Sequence, residues 1–151
     1  MPRSFSDVNL HVVFSTKDRR PLLLDPNLRV EVHRFLGGAA KTLDCRPILI
    51  GGVEDHVHIL VSLGKSISQA ELVKEIKRVS TSWIKERDLR LADFSWQGGY
   101  GAFSVDYTSI DRIRRYIANQ EENHKVVSFQ DEFRTLLKEH GIECEEKYIW
   151  D

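Results

Sequence analysis

The chain has 151 residues, with 22 Lys plus Arg against 23 Asp plus Glu and 41% apolar residues, the size and make-up expected of one ordinary soluble domain spanning residues 1–151. That balance excludes a disordered chain, and a fold of this length buries enough surface to stand without disulfide staples. Cys45 and Cys144, with no Cys-x-x-Cys pair, exclude a thiolate zinc site and point to reduced thiols in the cytoplasm.

The opening residues, Met1 to Asp7, are too polar for a signal peptide, and no apolar run approaches membrane-spanning length. The net charge of −1 hides an asymmetry. Residues 1–120 carry 18 basic and 14 acidic side chains, whereas residues 121–151 carry 4 and 9. This permits a basic face on the first part of the chain.

The apolar, β-branched run Asn9 to Thr16 predicts a first strand, closed by the polar loop Lys17-Asp18-Arg19-Arg20. Asp25-Pro26 predicts an N-cap with proline at the first helical position, and Leu28, Val32, Phe35, Leu36, Ala39 and Leu43 recur at helical spacing. Ile48–Val53 and His56–Val61 predict two strands joined at Glu54-Asp55. Ser68-x-x-Glu71 is a capping box that starts a second helix with Leu72, Ile76, Val79 and Trp83 on its stripe.

After a loop at Trp96–Gly99, Tyr100–Val105 predicts a fourth strand. Thr108 or Ser109 then caps a third helix with Ile110, Ile113 and Ile117 inward, which runs through Tyr116 and Gln120. Ser128 starts a last helix with Phe129, Phe133, Leu136 and Leu137 inward, ending at His140-Gly141. The order β-α-β-β-α-β followed by two helices predicts an α+β, ferredoxin-like split βαβ fold. Its antiparallel sheet carries helices on one face, with the two C-terminal helices added.

Strand alternation puts His56 and His58 on one face, opposite Val57 and Ile59, so two imidazoles can share one cation. Surface or packing histidines are the ordinary alternative for so short a pattern. Tyr116 and Gln120 stand one helical turn apart, so a phenol and an amide oxygen can address one point. Spacing alone leaves open a tyrosine at the edge of the core and a solvated glutamine. Two imidazoles with an amide oxygen would keep positions open for water and phosphate oxygens, which suits magnesium or manganese.

Four segments together resemble the single-tyrosine HUH transposases of small bacterial insertion sequences. They are His11–Lys17 with Arg20-Pro21-Leu22, Gly52–Leu60, Trp96–Val105, and Tyr116-Ile117-Ala118-Asn119-Gln120-Glu121-Glu122. The likeness runs from about His11 to Trp150. It implies His56 and His58 as metal ligands with Gln120 as the third, a divalent ion (Mg2+ or Mn2+), and Tyr116 as nucleophile. Attack on a backbone phosphate of single-stranded DNA would leave a 5′-phosphotyrosine and a free 3′-hydroxyl. It also implies a homodimer with the tyrosine helix of one subunit facing the histidine pair of the other, and hairpin DNA as partner.

Lys17, Arg19, Arg20, Lys74, Lys77, Arg78, Arg112, Arg114 and Arg115 are the candidates for phosphate contact, each with a solvated surface charge as its plain alternative. His124 is expected to cap a helix C-terminus, with a place near the phosphate as the alternative. His11 is read as a hydrogen-bonded core histidine that could neighbour the metal, and His33 and His140 as surface positions. Two rival functions remain at this level: a domesticated hairpin-DNA-binding or repeat-processing relative without full transposition, and a metal phosphoesterase that uses water in place of tyrosine.

Overall fold

The computed structural model describes residues 3–150. Four strands, β1 (Asn9–Ser15), β2 (Arg46–Gly52), β3 (His56–Ser62) and β4 (Gly101–Val105), form one sheet in the order β2-β3-β1-β4. Every neighbouring pair is antiparallel. This is the predicted split βαβ sheet, with β1 and β3 at its centre.

The helix α1 (Pro26–Thr42) starts where the sequence signals it: the Asp25 side chain accepts from the backbone N–H of Asn27 at 2.9 Å, and Pro26 needs no partner at that position. α2 (Gln69–Arg87) starts on the Ser68 hydroxyl, which accepts from the Glu71 N–H at 3.1 Å. Both helices lay their apolar stripes on the sheet face built by Leu10, Val12, Phe14, Val57, Ile59 and Val61. Val32 and Leu36 are fully buried there, each contributing about 1.5–3 kcal/mol. On the outer side of the helix pair, the Phe35 and Trp83 rings stack at 4.8 Å.

The other sheet face is covered by the C-terminal third of the chain. α3 (Ile110–Ala118), α4 (Gln120–Asn123), α5 (Phe129–Glu139) and α6 (Glu146–Ile149) follow one another, and short 3-10 turns begin at Lys17, Leu89 and Tyr107. Val13 and Phe103 pack against Phe129 and Leu136 of α5, while Leu60 and Val105 pack against Ile117 of α3. The periodicity did not reveal α6, whose exposed residues lack an apolar stripe.

Two glycines let these helices approach closely. A Cβ on Gly51 would stand 2.7 Å from Ile117 Cγ2 and 2.9 Å from the Ile117 carbonyl oxygen, and one on Gly101 would stand 2.7 Å from the Phe133 ring. Both residues pair across the sheet with partners on this second face, His58 and Val13. Their missing side chains set the depth at which α3 and α5 sit.

Candidate active site

Alternation along β3 sends Val57 and Ile59 into the α1–α2 core and His56 and His58 to the opposite face, as the sequence pattern predicts. Both imidazoles are fully buried. Each has its Nδ1 occupied: His56 Nδ1 lies 2.7 Å from Asp55 Oδ1, and His58 Nδ1 lies 2.7 Å from Nε2 of His11 on β1. These contacts fix both rings so that Nε2 faces the space beneath α3 and α5. His11 is thus a buried, hydrogen-bonded histidine that also touches a site residue.

α3 carries Tyr116 to this space, with its ring centroid 5.8 Å from that of His58. The expected continuous helix through Gln120 is corrected here. It breaks at Asn119 (φ −97°, ψ 19°), whose N–H is shared among the carbonyls of Arg115, Tyr116 and Ile117, and α4 begins at Gln120. Asparagine competes well with helical geometry at such ends. The break does not separate the pair, because Gln120 is buried and its Oε1 lies 3.1 Å from His56 Nε2. The solvated-glutamine alternative is therefore excluded.

The sequence reading did not single out Glu132. It belongs to α5, where Ser128 caps the first turn and Phe129, Glu132, Phe133 and Leu136 share the inward stripe. The helix thereby delivers a carboxylate to the histidine pair. Its Oε1 lies 3.2 Å from His58 Nε2, 3.3 Å from His56 Nε2 and 3.0 Å from His124 Nε2. Its Oε2 accepts from the Tyr116 hydroxyl, from Gln120 Nε2 at 2.9 Å and from Asn123 Nδ2 at 3.4 Å. An acid on an otherwise apolar helical stripe was the available signal.

His124 stands at the C-terminus of α4, a helix end where the sequence puts it, and it also joins the cluster, with Nε2 3.0 Å from Gln120 Oε1 and Nδ1 donating to the Val127 carbonyl at 2.7 Å. His56, His58, His124 and Glu132 offer ligand atoms within 4.8 Å of one another, a group that could hold a metal ion. These four and Tyr116 lie together within the one chain described.

The electrostatics follow from burial and contact. Burial depresses His56, but its hydrogen bonds to Asp55 and Glu132 outweigh this and raise its pKa to about 9. Burial and neighbouring His58 lower His11 to about 3, and burial keeps His58 below the usual histidine value. Burial would raise Glu132, yet the bonds from His124, His56 and His58 hold it well below the usual carboxylate range. Burial and the bond to Glu132 push the Tyr116 phenol up, so at neutral pH it keeps its proton.

The candidate phosphate-binding residues differ in how far the protein itself engages them. Lys17, Lys74, Arg112, Arg114 and Arg115 are exposed and have no ion-pair partner among the described residues. Arg20 pairs with Asp93 at 3.5 Å, Arg78 pairs with Glu75 at 2.8 Å, and the Arg19 guanidinium lies 5.3 Å from the Trp150 ring centre. Lys77 is engaged internally: its Nζ donates to the carbonyls of Gln97 (2.9 Å) and Gly99 and sits over the Phe14 ring, and burial lowers its pKa to about 8. Of the outlying histidines, His140 is exposed as expected. His33 is corrected from surface to mostly buried, because α1 turns it inward.

A sheet with buried paired imidazoles on one strand and a tyrosine and a glutamine brought over them defines a class. The chain belongs to the IS200-like transposase family, whose model matches residues 4–120. It is similar in fold to a transposase candidate from Deinococcus radiodurans R1, with TM-score 0.63 and 21% identity over 78% of this chain and 95% of that one. It is likewise similar to a REP-associated tyrosine transposase solved bound to a REP hairpin, with TM-score 0.61 and 15% identity over 83% of this chain and 73% of that one. No curated protein sequence matches significantly. No helix among the described residues is long and apolar enough to cross a membrane. The family makes the protein a DNA transposase.

Proposed function

We propose that this transposase cleaves and rejoins single-stranded DNA through a 5′-phosphotyrosine on Tyr116, with a divalent ion, Mg2+ or Mn2+, held by His56, His58 and Gln120. One observation carries the reading: the Tyr116 hydroxyl, the two Nε2 atoms and the Gln120 amide Nε2 converge on a single carboxylate, that of Glu132, while Gln120 Oε1 faces His56. The donor set fits an ion, since the Nδ1 atoms of both imidazoles are already occupied by Asp55 and His11 and their Nε2 atoms are turned inward. A bound ion supplies Lewis-acid polarisation of a phosphate oxygen and offsets the charge that develops in displacement.

The residues of the chain do the rest. Glu132 Oε2 orients the Tyr116 hydroxyl and is the atom toward which its proton leaves. As the bond from Tyr116 Oη to phosphorus forms, the bond from phosphorus to the 3′-oxygen breaks, and the proton given up by Tyr116 to Glu132 passes on to that oxygen, which leaves as a 3′-hydroxyl. The exchange conserves one phosphodiester-type bond, so no ATP is needed, and attack by a 3′-hydroxyl on the phosphotyrosine rejoins strands. Lys17, Lys74, Arg112, Arg114 and Arg115 are the cations we assign to the backbone of a hairpin-bearing DNA end. The protein is read as a homodimer on the same family likeness, a point that its mass in solution tests.

The test uses a hairpin-ended single strand with Mg2+ or Mn2+ and a denaturing gel. Wild type is expected to form a protein–DNA adduct. Tyr116→Phe is expected to form none while still shifting the hairpin on a native gel. An adduct that survives the substitution reassigns the nucleophile, and hydrolysis without any protein-bound product favours a phosphoesterase instead.

A further inference from the structure

Two of the buried rings leave no choice about where their hydrogens lie. His124 Nδ1 faces the Val127 carbonyl at 2.7 Å, and a carbonyl only accepts, so the hydrogen is on Nδ1. His56 Nδ1 faces the Asp55 carboxylate at 2.7 Å, with the same consequence. In the neutral tautomer each ring therefore presents an Nε2 lone pair to the interior.

What those lone pairs meet is also fixed. The Gln120 amide is oriented by its Nε2, which donates to Glu132 Oε2 at 2.9 Å, so its Oε1 points at the rings, 3.1 Å from His56 and 3.0 Å from His124. Glu132 Oε1 lies 3.0 to 3.3 Å from all three Nε2 atoms. With the His56 and His124 rings neutral, acceptor faces acceptor around one point, and either a proton held between His56 Nε2 and Glu132 or a metal cation relieves this. The spacing fits the metal cation. Donors at adjacent positions around an ion with bonds of about 2.1 Å stand about 3 Å apart, which is the spacing found.

We propose that Glu132, through Oε1, and His124, through Nε2, are ligands of the same ion as His56, His58 and Gln120, making a centre of five protein donors. The proposal rests on the metal reading given above and extends it to two residues that lie beyond the stretch matched by the family model. In an octahedral ion five protein donors leave one position, enough for a single phosphate oxygen. Glu132 then has two roles on its two oxygens: Oε1 binds the ion and Oε2 holds the tyrosine hydroxyl. It spaces the nucleophile from the ion by the width of one carboxylate.

The test uses the full chain with Mn2+ alone and electron paramagnetic resonance. Protein labelled with 13C only in glutamate is expected to show a 13C hyperfine coupling to the bound ion, and Glu132→Gln is expected to lose it. Protein labelled with 15N in histidine is expected to show three coupled nitrogens, reduced to two in His124→Phe. Depletion of the free Mn2+ signal is expected to show binding at least tenfold weaker in either variant. Nitrogen coupling from His56 and His58 without glutamate coupling overturns this proposal and leaves the metal reading standing. Absence of all nitrogen coupling overturns both. The label experiment needs only the wild-type fold, so a variant that fails to fold does not stall it.

Discussion

Nε2 of His11, on β1, lies 2.7 Å from Nδ1 of His58, on β3, with both rings buried in the sheet face that holds the site. The contact is cross-strand and fixed by register, since His58 pairs with Val13 and His11 sits two residues away on the same face. The expected result of His11→Phe, which keeps the ring packing and removes the nitrogen, is weaker ion binding by about 10- to 100-fold with the fold retained. Asp55→Ala is expected to act similarly through His56. Mn2+ titration beside a far-ultraviolet circular dichroism spectrum checks both, and unchanged affinity means that these contacts do not position the ligands.

Gly51→Ala is expected to destabilise the protein by about 1–3 kcal/mol, because its Cβ would meet backbone and side chain of Ile117, which cannot retreat without moving α3. Since Tyr116 precedes Ile117, adduct formation should fall as well. Gly38→Ala is the control. It sits in α1 with nothing within 4 Å of a new Cβ and should stabilise by about 0.5–1 kcal/mol. Urea denaturation midpoints compare the two, and equal midpoint shifts would remove the packing explanation.

The basic residues divide by engagement. Arg112→Ala and Arg115→Ala are expected to weaken hairpin binding at any sequence and to lower the salt dependence of log K by about one each. Lys77→Met is expected instead to lower stability while leaving that slope unchanged, because Lys77 holds the Gln97–Gly99 carbonyls. Binding isotherms at three salt concentrations separate these outcomes.

Acid sensitivity has an identifiable source outside the site. His33 has a buried Nε2 without a hydrogen-bond partner among the described residues. Burial and the nearby Arg29, itself paired with Glu121, lower its pKa to about 4. A depressed folded value means that the unfolded chain takes up the proton first. Stability from this group is therefore present above about pH 6.5 and lost as pH falls toward 4. Between pH 6.5 and 4.5 the loss is on the order of 2 kcal/mol. His33→Leu should flatten that part of the profile, and an unchanged slope in urea melts at these two pH values would point to other groups.

The fold was legible because its signals are local. Asp25-Pro26, Ser68-x-x-Glu71 and Ser128 all cap the helices they predict, and β3 alternates as its residues demand. The histidine pair was legible for the same reason. Glu132 was harder to read, because its signal, an acid at an apolar stripe position of the last long helix, gains its meaning when α5 docks and turns that position inward among the many acids after residue 120. The break at Asn119 was hidden because neither proline nor glycine marks it between Tyr116 and Glu122. His33 was misread because its exposure depends on Arg29 and on the segment after α3 closing over α1.

α5 lays Phe129, Phe133 and Leu136 on the sheet and, from the same turns, extends one acid into the imidazole cluster. Anchoring and chemistry thus share a single lever arm. Any substitution that loosens its greasy side, such as Leu136→Ala, also withdraws the carboxylate, so in this molecule a loss of activity traced to a residue with no polar atom would be an expected outcome of mechanical linkage rather than a sign of a second site.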